Sequence, residues 1–339
     1  MLASSLAAKD SLVVATWNVE NLFDTVLNQA GGTNDFDFTP ASWRRWTPER
    51  YNAKLTHLAW VIDKMSPDIL FLSEIENFGV LKDLNERILK NHAWNFAAIA
   101  HFESGDPRGI DVAIFSRYPV ASTNLVSLPG RRGTLVAEIM VEGESVWCLA
   151  NHWKSQVGNM QENIVVRTQE AMMAREEAMK ILRPNPNATI IIAGDFNEDA
   201  DGPSVTAALG AVTNRTQVAS IAGSGRLFYN VLGDVSKENH KDVPGSYYYA
   251  RRKAWNTFDM IIVQPKMLFS ASEAGPAWRV PPQDKHATKT FALPEMRADP
   301  DGRPKSYRRV RIKSMPPNYY EEGYSDHFPV ITTFIKGRK

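Results

Sequence analysis

Four apolar runs end on residues that can bind a metal ion or move a proton. VVATW (residues 13–17) runs into Asn18, ILFLS (69–73) into Glu74, VWCLA (146–150) into Asn151-His152, and TIIIAG (189–194) into Asp195-Phe196-Asn197. Two further groups precede such runs: Asp259 stands before MIIV, and Asp326-His327 before FPVITTF. An apolar strand buries its side chains, so a carboxylate, amide or imidazole at its end sits at the rim of a sheet. Glu74, Asp195, Asp259 and Asp326 offer hard oxygen ligands, Asn18 and Asn197 offer amides, and His152 and His327 can transfer protons. An oxygen-rich set suits Mg²⁺, Mn²⁺ or Ca²⁺, whereas zinc prefers more nitrogen and sulfur. The chemistry implied is metal-assisted attack of water on a phosphate ester.

These residues reach one rim only under a constraint on the strands that carry them. In an all-parallel sheet, groups after strands and groups before strands lie at opposite edges, so some strands must run antiparallel. The strand-length runs are Leu12–Trp17, Ile69–Leu72, Val112–Phe115, Leu135–Val141, Val146–Ala150, Ile190–Ala193, Met260–Val263 and Val330–Phe334. Three stretches read as helices. Over Pro48–Met65, Tyr51, Leu55, Leu58, Ile62 and Met65 share one face, Pro48 suits the first turn and Ser66-Pro67 ends the helix. Leu81, Leu84 and Ile88 form a second stripe, and Val165, Met172, Met179 and Leu182 a third across Glu162–Leu182, its methionines expected in the core. Irregular mixing of strands and helices predicts mixed sheets with flanking helices over a regular parallel repeat. Asp24–Thr47 reads as a long loop, and so does Pro265–Pro317, expected to be irregular and superficial because it holds nine of twenty prolines.

In order along the chain, TWNVENLFD (16–24), FLSEIEN (71–77), RGIDVAIFSRYPV (108–120), NHWKSQ (151–156), IIAGDFNED (191–199), FDMIIV (258–263) and YSDHFPV (324–330) resemble the successive motifs of the endonuclease/exonuclease/phosphatase superfamily. That superfamily includes pancreatic-type deoxyribonuclease, abasic-site endonucleases, inositol polyphosphate 5-phosphatases and bacterial sphingomyelinases. The resemblance implies a four-layer α/β sandwich, with two mixed β-sheets packed face to face and helices outside. It implies one domain over residues 11–339, with residues 1–10 as a tail and a proline-rich basic loop at 265–317. Its implied metal ligands are Glu74, Asn18 and Asp326, for Mg²⁺ or Mn²⁺, with Ca²⁺ also suited. Its implied catalytic residues are Asp195, which orients or deprotonates water, Asn197 on a phosphoryl oxygen, His327 on the phosphate, His152, and Asp259, which holds a catalytic imidazole. Whether Asp259 holds His152 or His327 stays open at this point. Arg108 and Lys154 are implied phosphate contacts, and NHWKSQ with Asn163 and Arg167 looks like bacterial secreted nucleases.

The composition removes other classes. The 339 residues are 43% hydrophobic and 23% charged, which excludes a disordered chain. No apolar run is long enough for a transmembrane helix. The lone Cys148 excludes an internal disulfide, and 39 basic residues against 38 acidic ones give a net charge of +1, too little for a chain-wide pull onto nucleic acid. Arg297–Lys313, with seven basic residues and two acids, is a basic patch beside an acidic remainder. MLASSLAA at residues 1–8 reads either as a tail or as the remnant of an export signal, favouring a secreted or periplasmic setting over a cytoplasmic one. His57, His92, His101, His240 and His286 read as structural, and Asp199 and Asp201 as turn acids. Tyr247-Tyr248-Tyr249 with Arg251-Arg252-Lys253 could stack bases and grip phosphates, or simply form a strand with a charged end.

The function expected is a divalent-metal-dependent phosphodiesterase, foremost a nuclease, with nucleic acid as substrate. The alternative is a phosphatase or phospholipase C-like enzyme acting on inositol phosphates, other small phosphoesters or lipid head groups. A catalytically dead binding module comes third, because every expected polar group is retained.

Overall fold

The structure, a computed structural model, describes residues 9–27, 35–221, 228–269, 275–309 and 320–337. The stretch at residues 1–8, and Arg311 and Lys313 of the basic patch, lie outside the described residues.

Two large sheets form the body. The first has the order β14 (Trp278–Arg279), β20 (Val330–Lys336), β1 (Ser11–Leu22), β2 (Ile69–Ile75), β4 (Asp111–Ser116), β3 (Ala98–His101), and β15 (Thr288–Thr290) also pairs with β20. The second runs β5 (Val120–Val126), β6 (Thr134–Val141), β7 (Glu144–His152), β8 (Thr189–Asp195), β13 (Asp259–Val263), β10 (Phe228–Asn230), β9 (Ala211–Val212). Three small hairpins lie outside them: β11–β12 (Tyr247–Tyr249 with Ala254–Asn256), β16–β17 (Arg297–Ala298 with Arg303–Pro304) and β18–β19 (Tyr307–Arg309 with Tyr320–Glu322).

Each central strand is buried on both faces, which is why its sequence is a continuous apolar run and not a polar–apolar alternation. The period of two instead divides its side chains between two cores. In β1, Leu12 and Val14 join the core between the sheets, while Ala15, Trp17 and Val19 join the outer core. In β8, Ile191 and Ala193 point inward and Ile190 and Ile192 outward; in β13, Ile261 and Val263 oppose Met260 and Ile262 in the same way. The outer face of the first sheet is covered by helices α1 (Pro48–Met65) and α2 (Phe78–His92), through Leu55, Leu58, Ile62, Leu81, Leu84 and Ile88. Helix α3 (Met160–Leu182) covers the second sheet. The result is a four-layer α/β sandwich with mixed sheets.

Local signals fix the first two helices. Thr47 caps α1 by accepting from the Arg50 N–H, Pro48 follows, and Ser66 ends the helix in the left-handed region with its N–H donating to the Ile62 carbonyl. Asn77 caps α2, its Oδ1 accepting from the Val80 N–H at 3.0 Å.

Two expectations hold only in part here. The α3 stripe only half faces the core: Met179 and Leu182 pack against it, whereas Val165 and Met172 are more than half exposed. The buried face is Ala171, Ala174 and Ala178 with Asn163, Arg167, Glu170 and Glu177. Alanines let the helix approach the sheet closely, and the buried charges are paired: the Lys154 N–H donates to Glu170 Oε2 at 2.7 Å, and Arg167 Nη1 donates to the Lys154 carbonyl at 3.2 Å. Nor is Pro265–Pro317 merely a surface loop. Its short β14 and β15 strands flank β20, and Met267 and Trp278 are fully buried. Strands of two or three residues leave no periodic trace in a sequence.

Parallel β1–β2 and β7–β8 pairs are combined with antiparallel β1–β20 and β8–β13 pairs. This brings the ends of β1, β2, β7 and β8 to the same rim as the starts of β13 and β20. Register is tight: His152 pairs with Asp195, and Asp195 pairs with Asp259, so three site residues occupy one row across three strands. Gly194, just before Asp195, has φ +145°, and a Cβ there would overlap the backbone of Asn151. Gly194→Ala is therefore expected to lose ~2 kcal/mol or more of stability in urea unfolding, from strain and the enforced separation of β7 and β8. Gly143→Ala is the control, at φ +82° with open space around it, and should lose less.

Candidate active site

The rim is built where the strands stop being regular. The β1–β2 register shifts between Asn18 and Leu22, and the β2–β4 register shifts between Ser73 and Ile75, leaving Glu74 as the extra residue of a bulge. Glu20, Asn21, Glu74 and Asn197 all have positive φ, between 50° and 66°. Such conformations cost about 1–3 kcal/mol each and concentrate where side-chain aim matters more than backbone comfort.

Asp195 is the centre. It is 1% exposed, its Oδ2 accepts from Asn18 Nδ2 at 2.9 Å, and its Oδ1 accepts from the Asn197 N–H at 2.8 Å. His152 Nε2 lies 3.6 Å and His327 Nε2 3.9 Å from the same Oδ2. The ambiguity over Asp259 is resolved: its Oδ2 is 2.7 Å from His327 Nδ1, while its N–H donates to Ser246 Oγ at 3.1 Å. That contact fixes the Nδ1–H tautomer of His327 and points Nε2 toward Asp195. Tyr247 packs against the His327 ring with centroids 4.8 Å apart, so one of the three consecutive tyrosines braces the site.

Their surroundings push the two imidazoles in opposite directions. Burial opposes protonation of His327, but Asp259 and Asp195 outweigh it and lift its pKa well above the ordinary histidine value. His152 is pushed well below that value by burial, with Arg132, Arg108 and His327 adding to the effect. Burial pushes Asp195 up to about 6, against the pull of His327 and the hydrogen bonds from Asn18 and Asn197.

A second cluster stands on the side of the first sheet. Glu74 Oε2 accepts from the Asn21 N–H at 2.9 Å, and Arg108 Nη2 donates to Asn21 Oδ1 at 2.8 Å. Lys54 is fully buried below, its ammonium on the Glu20 carbonyl. Burial depresses its pKa to about 8, and Glu20, Asp326 and Glu74 counteract that, which places all three carboxylates near one ammonium. Of the residues expected to hold a metal ion, Glu74 and Asp326 both act on Lys54, and the Asn18 amide oxygen accepts from the Glu20 N–H at 3.0 Å; all three offer oxygen donors. This chemistry fits a hard divalent cation.

Lys154 stands farther out, half-buried, its pKa lowered by burial and by Arg131 and Arg132. Three residues that serve the site carried no sequence signal read above. Arg132 lies against His152; Lys54 underlies the acids; Ser325 Oγ donates to the Asn18 carbonyl at 2.6 Å and accepts from the His327 N–H at 3.0 Å. Ser325 was within reach, since it lies inside YSDHFPV. Asp199 does more than turn the chain, accepting from the Thr257 N–H at 2.7 Å and from Asn256 Nδ2 at 2.8 Å. Apart from the site, His101 Nε2 lies 3.2 Å from Asp111 Oδ2 beside Glu103, a group whose ligand atoms lie within 4.8 Å of one another.

The model of the endonuclease/exonuclease/phosphatase family matches residues 13–336. The chain belongs to that family. No curated protein matches it in sequence. Among solved structures it is similar to a truncated TDP2 from Caenorhabditis elegans, at 15% identity over 96% of this chain and 97% of that one, with a TM-score of 0.55. It is also similar to a mannosyl-6-phosphatase of Bacteroides thetaiotaomicron, at 15% identity over 96% and 99% of the two chains, TM-score 0.54. A D. rerio TDP2 complexed with single-strand DNA product matches at 16% identity over 96% and 99%, TM-score 0.51. Members of this family are phosphoesterases and generally use divalent metal ions.

The charge states can be read directly by NMR of the metal-free protein. The His327 ring signals are expected to titrate well above the ordinary value of about 6.5, and Asp259→Asn should bring them down. His152 should titrate well below it. Because the folded pKa of His327 is raised, its pairing contributes stability that is complete below the unfolded pKa and is lost as pH rises through the folded one.

Proposed function

We propose that the protein is a divalent-metal-dependent phosphodiesterase, foremost a nuclease, using in-line attack of water on a phosphate ester. The observation that carries this reading is Asp195 Oδ2 within reach of two imidazoles, His152 Nε2 at 3.6 Å and His327 Nε2 at 3.9 Å, the second held by Asp259. A carboxylate so flanked suits proton abstraction beside a developing negative charge.

Glu74, Asp326 and Asn18 would hold the ion, Mg²⁺ or Mn²⁺, with Ca²⁺ also suited to oxygen donors. When bound, a divalent cation neutralises phosphoryl charge and makes water more acidic. Asp195, fixed by Asn18 and the Asn197 N–H, orients the attacking water and takes its proton. His327, held through Nδ1 by Asp259, offers its Nε2–H to a phosphoryl oxygen. The Asn197 amide uses one N–H on the Trp153 carbonyl at 3.1 Å and has a second for the substrate. Arg108 and Lys154 supply positive charge to the phosphate.

A nucleic acid substrate is supported by the cations gathered around His152 and Lys154, and by likeness in fold to a TDP2 complexed with single-strand DNA product. The second reading, a phosphatase or phospholipase C-like enzyme, draws on the equally similar fold of the mannosyl-6-phosphatase.

Supercoiled plasmid and bis(p-nitrophenyl) phosphate, each with Mg²⁺ or Mn²⁺, separate these readings. Plasmid nicking that EDTA stops is expected, with Asp195→Ala and His327→Ala each lowering the rate by about 10²–10⁴-fold. An intact plasmid alongside turnover of sugar or inositol monophosphates would move the assignment to the phosphatase reading. Full activity in either variant would remove the roles given to those residues.

A further inference from the structure

We infer that Arg132 is a positioning residue of this site, its guanidinium fork setting the His152 ring with one arm and the Asn197 side chain with the other. Nη1 lies 3.3 Å from both His152 Nδ1 and His152 Nε2, a spacing that places it across the Nδ1–Cε1–Nε2 side of the ring and not on a single lone pair. Nη2 donates to the Trp153 carbonyl at 3.1 Å. That carbonyl also accepts from Asn197 Nδ2 at 3.1 Å, and the Trp153 N–H donates to the Asp195 carbonyl at 3.0 Å. One guanidinium thus lies on the His152 ring and on a carbonyl at the end of β7 that Asn197, assigned to a phosphoryl oxygen, also uses.

Its ion pair with buried Asp106 is not a hydrogen-bonded one. The neighbouring carboxylate oxygen, Asp106 Oδ2, is 3.8 Å from Nε, beyond hydrogen-bonding distance, and Nε is buried without a hydrogen-bond partner. The two Nη groups therefore carry the well-placed contacts. Nor is Arg132 a pliable loop residue. It is 5% exposed, between His152 at 2% and His327 at 6%. The following Gly133 has φ +80°, and a Cβ there would strike the Val126 carbonyl and Ser127, so the turn is closed tightly against β5. The charged and titratable groups acting on His152 are Arg132, Arg108 and His327 as cations and Asp195 as the acid. A lysine at 132 would keep the charge but could not span two acceptors from one planar fork.

The kinetic arm rests on the phosphoester hydrolase reading; the structural arm does not. Arg132→Lys and Arg132→Ala are made in the full chain and assayed on bis(p-nitrophenyl) phosphate with Mn²⁺. A small misplacement of reacting groups predicts a fall in kcat of about 10²-fold with KM little changed, in both variants. Methylguanidinium should restore part of the Arg132→Ala rate and none of the Arg132→Lys rate. In the metal-free protein, ¹⁵N NMR should show the His152 ring and the Asn197 side-chain amide shifted in both variants. Wild-type kcat in Arg132→Lys, or unmoved His152 and Asn197 signals, would overturn the inference. Should the wild type hydrolyse no phosphodiester, the phosphodiesterase reading is at fault and the NMR shifts alone decide. If Arg132→Ala does not fold, Arg132→Lys carries both arms.

Discussion

Burial of both faces of two sheets is the constraint from which the rest follows. A strand enclosed above and below has little room for charged side chains along its length, so reactive groups gather at its ends. β8 and β13 are apolar beside their reactive ends, β7 closes on Asn151-His152, and His152, Asp195 and Asp259 stand in one register row. The same burial starves these groups of water. It raises the Asp195 pKa and lowers that of His152, and the carboxylates around His327, Asp259 first and then Asp195, reverse the effect there. Packing and reactivity therefore have one cause, and the rim is the line along which the first gives way to the second.

Strain is localised on that line. Glu74 protrudes from a bulge between Ser73 and Ile75, and Asn197 turns in the left-handed region directly after β8. A regular strand would send Glu74 into one of the two cores, where an unpaired carboxylate is intolerable. The bulge aims it into the cleft at the cost of backbone energy, which the apolar rows on either side supply. Asp259 adds a second local debt, because its Oδ1 is buried without a hydrogen-bond partner while Oδ2 holds His327. A carboxylate so placed is specialised for one imidazole.

Much of this was legible in the sequence, and the exceptions share a physical origin. The eight apolar runs, the Pro48–Met65 helix with its cap, and the need for antiparallel strands all follow from periodicity and from which end of a run bears the polar residue. The α3 stripe misled in part because periodicity names a face without saying which side it turns to; alanines and paired charges made another face the one that packs closely. β5 was missed because it is an exposed edge without an apolar run, and β14 and β15 because they are too short to show a period. Of the site, the motif residues were legible, since they end strands. Arg132 and Lys54 were not: each reaches the site from an element whose pattern speaks only of a turn or a helix, and its partners are carbonyls, which no sequence displays.

The distribution of charge within the cleft also constrains what it can accept. On the His152 side, Arg132 and Arg108 act on His152, and Arg131 and Arg132 act on Lys154, with Asp106 opposing them there. On the other side Glu20, Glu74 and Asp326 gather near Lys54, with Arg44 close to Glu20 and Glu74. Asp195 and its two imidazoles lie on the seam. An anionic substrate is drawn to the first half and repelled by the second, so it can span the seam only when the acidic half is neutralised. Lys54 cannot do this, because it is buried beneath the acids with its ammonium committed to the Glu20 carbonyl and its charged form disfavoured by burial. A divalent cation held by those oxygen donors, as proposed above, would remove that repulsion.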